Sequence, residues 1–246
     1  QELVADGDDQ RFMSEVIVAL DTPSAESALQ LVDRLGKAAG HYKIGLELFT
    51  SAGPAMVSEL KGRGKRVFLD LKLHDIPNTV ARAVRAASSL EVDLLTVHAG
   101  GGQLMLDAAR NSVEGELQLL AVTILTSLGP EDLSVTWNRH VDDISSEVLR
   151  LAHSAQESGV HGVVASAWEV ARIREQLGSG FLIVAPGIRP KGTDHDDQKR
   201  VASPAEAVES GADFLVVGRP VTQAPDPSAV LAVIRDDMDT VSGRHG

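Results

Sequence analysis

Residues 66–79 read RVFLDLKLHDIPNT. The first seven alternate, with Val67, Leu69 and Leu71 on one side and Phe68, Asp70 and Lys72 on the other. That is the period-two pattern of a β-strand. After Lys72 the alternation stops, and residues 76–90 carry a helical pattern instead. The wholly apolar side suits a strand covered by helices. The other side then points away from them, with an acid and a base near the C-terminal end of the strand.

The same strand-then-helix unit recurs along the chain. Further strands are expected at 15–21 (EVIVALD), 41–48 (HYKIGLEL), 93–99 (DLLTVHA), 117–125 (LQLLAVTIL), 162–167 (GVVASA), 181–187 (FLIVAPG) and 214–220 (FLVVGRP). Helical patterns occupy 24–39, 145–158 and 203–210, the last opened by Ser203-Pro204. Strands alternating with helices imply parallel pairing and right-handed crossovers. Eight units predict an α/β fold of the (β/α)8 TIM-barrel kind in a single domain. The rival is an open doubly wound sheet. It calls for a glycine-rich turn after the first strand, and ALDTPSAES at 19–27 has none. Residues 14–240 are assigned to the barrel, 1–13 to a loose extension and 241–246 to a flexible tail. Long connections follow strands five (126–144) and seven (188–202), on the side where barrels build active sites.

Composition narrows the function. The 246 residues are 43% apolar and only 3% aromatic, so the core must be aliphatic. Asp and Glu outnumber Lys and Arg 35 to 23, a net charge of −12. That argues against nucleic-acid or anionic-membrane partners but allows a small anionic substrate held by local positive charge. The absence of cysteine excludes thiolate metal sites and a cysteine nucleophile. No run is long and apolar enough to span a membrane, and QELVADGDDQRF at the start has no signal-peptide core. A cytoplasmic setting is expected.

Parity brings charges from three strands together. Asp21 shares the side of Ile17 and Ala19, and Lys43 that of Gly45. With Asp70, Lys72 and Asp75 they would gather at one mouth of the barrel. Buried charge is costly unless paired, and the signs here can alternate. Such an array reads as a structural ion-pair network or as a catalytic constellation. Three strands converging at the catalytic end of a barrel favour the second.

The segment DLKLHDIPNTV, with YKIG, TVHA, VTILTS, APGIRP and VVGRPV in the same order, resembles the orotidine 5′-phosphate decarboxylase family. The resemblance runs from VALD in strand one to VVGRPV in strand eight. It implies decarboxylation of orotidine 5′-phosphate to uridine 5′-phosphate, with no cofactor and no metal. Lys72 would protonate pyrimidine C6, Asp70 would lie beside the departing carboxylate, and Lys43 would bridge acids and ribose hydroxyls. Asp21 would contact the ribose or base. Asp75 and Thr79 would complete the neighbouring site of a homodimer, Gln198 would reach the phosphate, and Thr126 and Ser127 would either meet the base edge or merely form a local turn or helix cap. Pro186 either lines the pyrimidine pocket or merely ends its strand.

Arg189 and Arg219 lie where barrels often bind phosphate, and Gly218 permits close backbone approach. Segment 188–202 reads as a lid over the phosphate, with an ordinary surface loop as the alternative. His74 has no evident task, His98 suits a packed, hydrogen-bonded ring, and Trp137 and Trp168 suit packing. Asp194, His195, Asp196 and Asp197 suit a solvated loop edge rather than a metal site. Two other functions compete. Magnesium-dependent relatives such as hexulose-phosphate synthase or keto-gulonate-phosphate decarboxylase share the D-x-K-x-x-D core. A non-catalytic phosphate-binding barrel would have no need of so costly a charge array.

Overall fold

Each apolar run becomes a short parallel strand. In the computed structural model, which describes residues 14–190 and 200–242, these are β1 (Glu15–Ala19), β2 (His41–Ile44), β3 (Arg66–Leu73) and β4 (Leu94–His98). They continue as β5 (Gln118–Val122), β6 (Gly162–Val164), β7 (Leu182–Ala185) and β8 (Phe214–Val217). The strands pair in sequence order, and β8 pairs with β1 to close the barrel. The expected single-domain (β/α)8 architecture is therefore observed. Residues 1–13 and 243–246, the core of 188–202 including Gln198, and the 194–197 cluster lie outside the described residues.

Strand parity sorts the core into two layers. Ile17, Ala19, Phe68, Leu94, Leu120, Val184 and Val216 form a compact cluster inside the barrel. The alternate residues, among them Val18, Tyr42, Ile44, Val67 and Leu69, pack outward against the helices. Burying one such aliphatic side chain contributes about 1.5–3 kcal/mol, so many Val, Leu and Ile side chains carry the core with only a few aromatics such as Tyr42 and Phe68 among them.

Local signals set the helix ends. Ser24 accepts a hydrogen bond from the Ser27 N–H at 3.2 Å and caps the helix Ala25–Leu35. Ser203 and Glu206 form a capping box around the start of Pro204–Glu209. The expected helix at 24–39 is shorter, because Gly36 turns to φ +49° and starts a single 3₁₀ turn. The final helix, Pro227–Ser242, takes in two residues of the expected tail. Among the described residues no helix is long and apolar enough to cross a membrane.

Apart from β3, which runs one residue further to Leu73, the strands stop earlier than the apolar runs. β1 ends at Ala19 and β5 at Val122, which leaves Asp21 and residues 123–127 on the C-terminal rim. The connection after β5 contains its own helix, Pro130–Trp137. The connection after β7 is pinned where it begins and returns. Ile188 bridges to Ala202, and the Arg189 N–H donates to the Ala202 carbonyl at 2.9 Å.

Candidate active site

Four neighbouring strands deliver one continuous charged array to the C-terminal mouth. Lys72 Nζ donates to both carboxylate oxygens of Asp70, each at 2.8 Å. Lys43 Nζ lies 3.7 Å from Asp70 Oδ2 and 2.9 Å from Asp21 Oδ1. From β4, Thr96 Oγ1 donates to Asp70 Oδ1 at 3.0 Å. Acid and base alternate as Asp21, Lys43, Asp70, Lys72, and their formal charges cancel. The Lys43 and Asp70 side chains keep only 12% and 11% exposure, whereas Lys72 keeps 31%. The inner pair is thus withdrawn from water while one ammonium still faces the cavity.

Two backbone features make room for this array. A Cβ on Gly45 would lie 2.9 Å from Lys43 Nζ and 3.2 Å from Asp21 Oδ1, so the missing side chain clears the space their ion pair occupies. Lys72 has φ +49°, in the left-handed region that a side-chain-bearing residue seldom adopts. The β3–β4 register shifts between Leu69 and Leu73, and the Lys72 N–H donates to Thr96 Oγ1 at 2.8 Å. Asp70 and Lys72 do meet on one side as expected, but through a local irregularity rather than a regular pleat.

The remaining expected residues lie around this centre. Asp75 is exposed and accepts from the Ile76 N–H at 2.6 Å, apart from its own chain's array. Thr79 is half-buried in the first turn of the helix Pro77–Ser88. Thr126 and Ser127 occupy a turn just past β5, which the Leu128 N–H closes onto the Leu125 carbonyl at 3.0 Å. Pro186 is half-buried directly after β7. Arg189 is buried, and its guanidinium donates to the Ile188 carbonyl at 3.2 Å. A Cβ on Gly218 would stand 3.8 Å from Asp21 Oδ2, which places this glycine at the edge of the array. Arg219 follows it, half-exposed, at the start of a short helix.

Thr96 was not foreseen, whereas His98 is the packed, hydrogen-bonded ring expected of it. Thr96 could have been found, since it shares parity with the inward-facing Leu94. His74 and His98 stack with ring centroids 5.2 Å apart. Burial, then His74 and Lys72, hold the His98 imidazole below its ordinary pKa, and its Nδ1 accepts from the Gly100 N–H at 3.1 Å. Trp137 packs against the core as expected, but Trp168 is 62% exposed and its indole N–H donates to the Val201 carbonyl at 2.9 Å. Glu169 and Arg200 form a buried ion pair that no sequence pattern marks.

Chemically, the array offers an ammonium fixed beside a carboxylate. The ammonium can stabilise negative charge developing in the cavity and then donate a proton to it. The sequence pattern of the Orotidine 5′-phosphate decarboxylase / HUMPS family matches residues 14–234. The chain is 50% identical over 237 residues to the orotidine 5′-phosphate decarboxylase of Moorella thermoacetica, covering 92% of this chain and 93% of that one. It is 49% identical over 233 residues to the enzyme of the same name from Sodalis glossinidius, covering 93% and 92%. The crystal structure of orotidine 5′-phosphate decarboxylase from Lactobacillus acidophilus superposes with a TM-score of 0.81 at 37% identity, over 92% of this chain and 99% of that one.

Proposed function

The chain belongs to the orotidine 5′-phosphate decarboxylase / HUMPS family, and from that premise we propose how its residues perform the reaction. The chain decarboxylates orotidine 5′-phosphate to uridine 5′-phosphate, the last step of de novo pyrimidine nucleotide synthesis. The bond from C6 to the carboxylate breaks, carbon dioxide leaves, and the electron pair stays on C6. Lys72 stabilises that pair and then gives it a proton. The observation that carries this reading is the double contact of Lys72 Nζ with Asp70, which fixes the ammonium in the cavity before substrate arrives.

Asp70 orients Lys72 and stands beside the substrate carboxylate. Lys43, held between Asp21 and Asp70, serves the ribose side, and Asp21 the ribose or base. Thr126 and Ser127 take the base edge, and Pro186 lines the pyrimidine pocket. Arg189, Gln198, Gly218 and Arg219 form the phosphate end. No cofactor or metal takes part. Enzymes lower barriers by about 8–23 kcal/mol. One ion pair supplies only part of that, so phosphate binding must help to hold the reacting ring in place. Asp75 and Thr79 complete the site of a second copy in a homodimer. The exposure of Asp75 and Ile76 on the rim supports that role. The chain works in the cytoplasm.

The test is ultraviolet absorbance of orotidine 5′-phosphate with purified protein, excess chelator and no added cofactor. Loss of substrate absorbance with appearance of uridine 5′-phosphate is expected. Turnover that returns only with magnesium would overturn the metal-free mechanism and move the chain toward the enediolate chemistry of its sugar-phosphate relatives.

A further inference from the structure

Glu169 and Arg200 take no part in the mechanism above. Glu169 lies in the first turn of the helix Ala167–Leu177, which follows β6. Arg200 lies where the connection after β7 returns toward Ser203. Their side chains are 4% and 7% exposed, with Arg200 Nη1 only 2.6 Å from Glu169 Oε1. Arg200 Nη2 also donates to the carbonyls of Ile124 at 3.4 Å and Leu125 at 3.2 Å.

Stability is a poor reason for this pair. Among the described residues, Glu169 Oε2 and Arg200 Nε are buried without a hydrogen-bond partner. Burial pushes the Glu169 carboxyl above its ordinary pKa despite the pull of Arg200. Replacing an incompletely satisfied buried pair with apolar side chains is often neutral or stabilising.

The geometric consequence is clearer. The pair joins three segments distant in sequence: the exit of β5 just before Thr126, the helix after β6, and the return of the β7 connection. Neighbouring bonds reinforce the junction. Trp168 Nε1 donates to the Val201 carbonyl at 2.9 Å, and the Arg189 N–H to the Ala202 carbonyl at 2.9 Å.

We propose that Glu169 and Arg200 are positioning residues that lock the exit of β5 to the connection after β7, and so fix the span between the base-side and phosphate-side contacts of a nucleotide substrate. This rests on the reading above, in which Thr126 and Ser127 meet the base and the loops after β7 and β8 meet the phosphate. The pair makes no contact with Asp70 or Lys72, so its loss acts on binding and spares proton transfer. It matters only for a ligand that engages both ends.

Two variants test this. Arg200→Lys keeps a cation for Glu169 but loses the planar fork that reaches two carbonyls as well. The double variant Glu169→Leu with Arg200→Met removes both charges and keeps the volume. Kinetics are measured on orotidine 5′-phosphate and on orotidine, which has no phosphate, together with thermal melting. The expected result is a KM for orotidine 5′-phosphate raised about tenfold or more, with kcat within about threefold, the pattern of lost uniform binding. The double variant should melt close to the wild type, and kcat/KM on orotidine should change less than about threefold in both variants.

Folded variants with unchanged KM would overturn the proposal, as would a fall in kcat at constant KM or equal losses on the two substrates. If the double variant does not fold, Arg200→Lys decides by the same criteria. A wild type with neither turnover nor uridine 5′-phosphate binding would instead remove the functional reading, and this inference with it.

Discussion

Lys72 holds its ammonium on a backbone that opposes it. A left-handed conformation costs a side-chain-bearing residue about 1–2 kcal/mol relative to its usual regions. What offsets the strain is visible: the Lys72 N–H is bonded to Thr96 Oγ1, and Nζ to both oxygens of Asp70. Thr96 is shared, since it accepts from the Lys72 backbone and donates to Asp70, so one hydroxyl sets the relative position of acid and base. If the strain is held in place by these bonds, glycine should relieve it. Lys72→Ala and Lys72→Gly should both abolish turnover and leave the barrel folded. Urea unfolding should find the glycine variant more stable than the alanine variant by about 1 kcal/mol, because glycine adopts positive φ without a Cβ clash. Equal stabilities would mean that the backbone relaxes once the ammonium is gone, and that the side chain's own contacts impose the conformation.

At the scale of strands and turns, the end of β3 parts Asp70 from Asp75. Asp70 and Lys72 face their own cavity, but past the bulge the turn leaves Asp75 exposed, with Ile76 at 68% exposure beside it. Among the described residues, Asp75 meets only its neighbour's N–H at 2.6 Å, in keeping with the proposed service to another copy. Mixing inactive Asp75→Asn and Lys72→Ala subunits should therefore restore activity, since one of the two hybrid sites would carry both native residues. No recovery after verified subunit exchange would place Asp75 outside the partner's site. Much of this centre was legible in the sequence because strand parity is local. Residues two apart share a face, which put Asp21, Lys43 and Asp70 at one mouth. The irregularity at Lys72 was not legible, since a register shift depends on what the neighbouring strand offers, here Thr96. The Glu169–Arg200 pair was hidden for a related reason. Its partners are 31 residues apart, with β7 between them, so local periodicity cannot bring them together.

Across the whole molecule, the inside of the barrel is graded from a charged mouth to an apolar floor, and His41 breaks that gradient. It lies on β2 one inward position below Lys43 and is 2% exposed, with its ring 5.7 Å from that of Phe214 in an edge contact. Among the described residues, neither ring nitrogen has a hydrogen-bond partner. Burial lowers its pKa from 6.5 to about 4, opposed by Asp93 and assisted by Lys61. The unfolded chain therefore takes up a proton on this side chain before the folded chain does, and acid favours unfolding. The neutral ring makes its full contribution above pH 6.5, and that contribution is lost progressively as pH falls toward about 4. At about 1.4 kcal/mol per pH unit the loss is on the order of 3 kcal/mol. His41→Leu keeps the volume and cannot titrate. Its stability relative to the wild type should be constant above pH 7 and should improve steadily between pH 6.5 and 4, as read by denaturant unfolding at each pH. Because the comparison is a difference, the other titrating groups cancel as long as the barrel keeps its shape. Parallel curves for the two proteins would show that His41 finds a way to hold its proton inside the folded barrel, and that the apolar floor is more polar than its lining suggests.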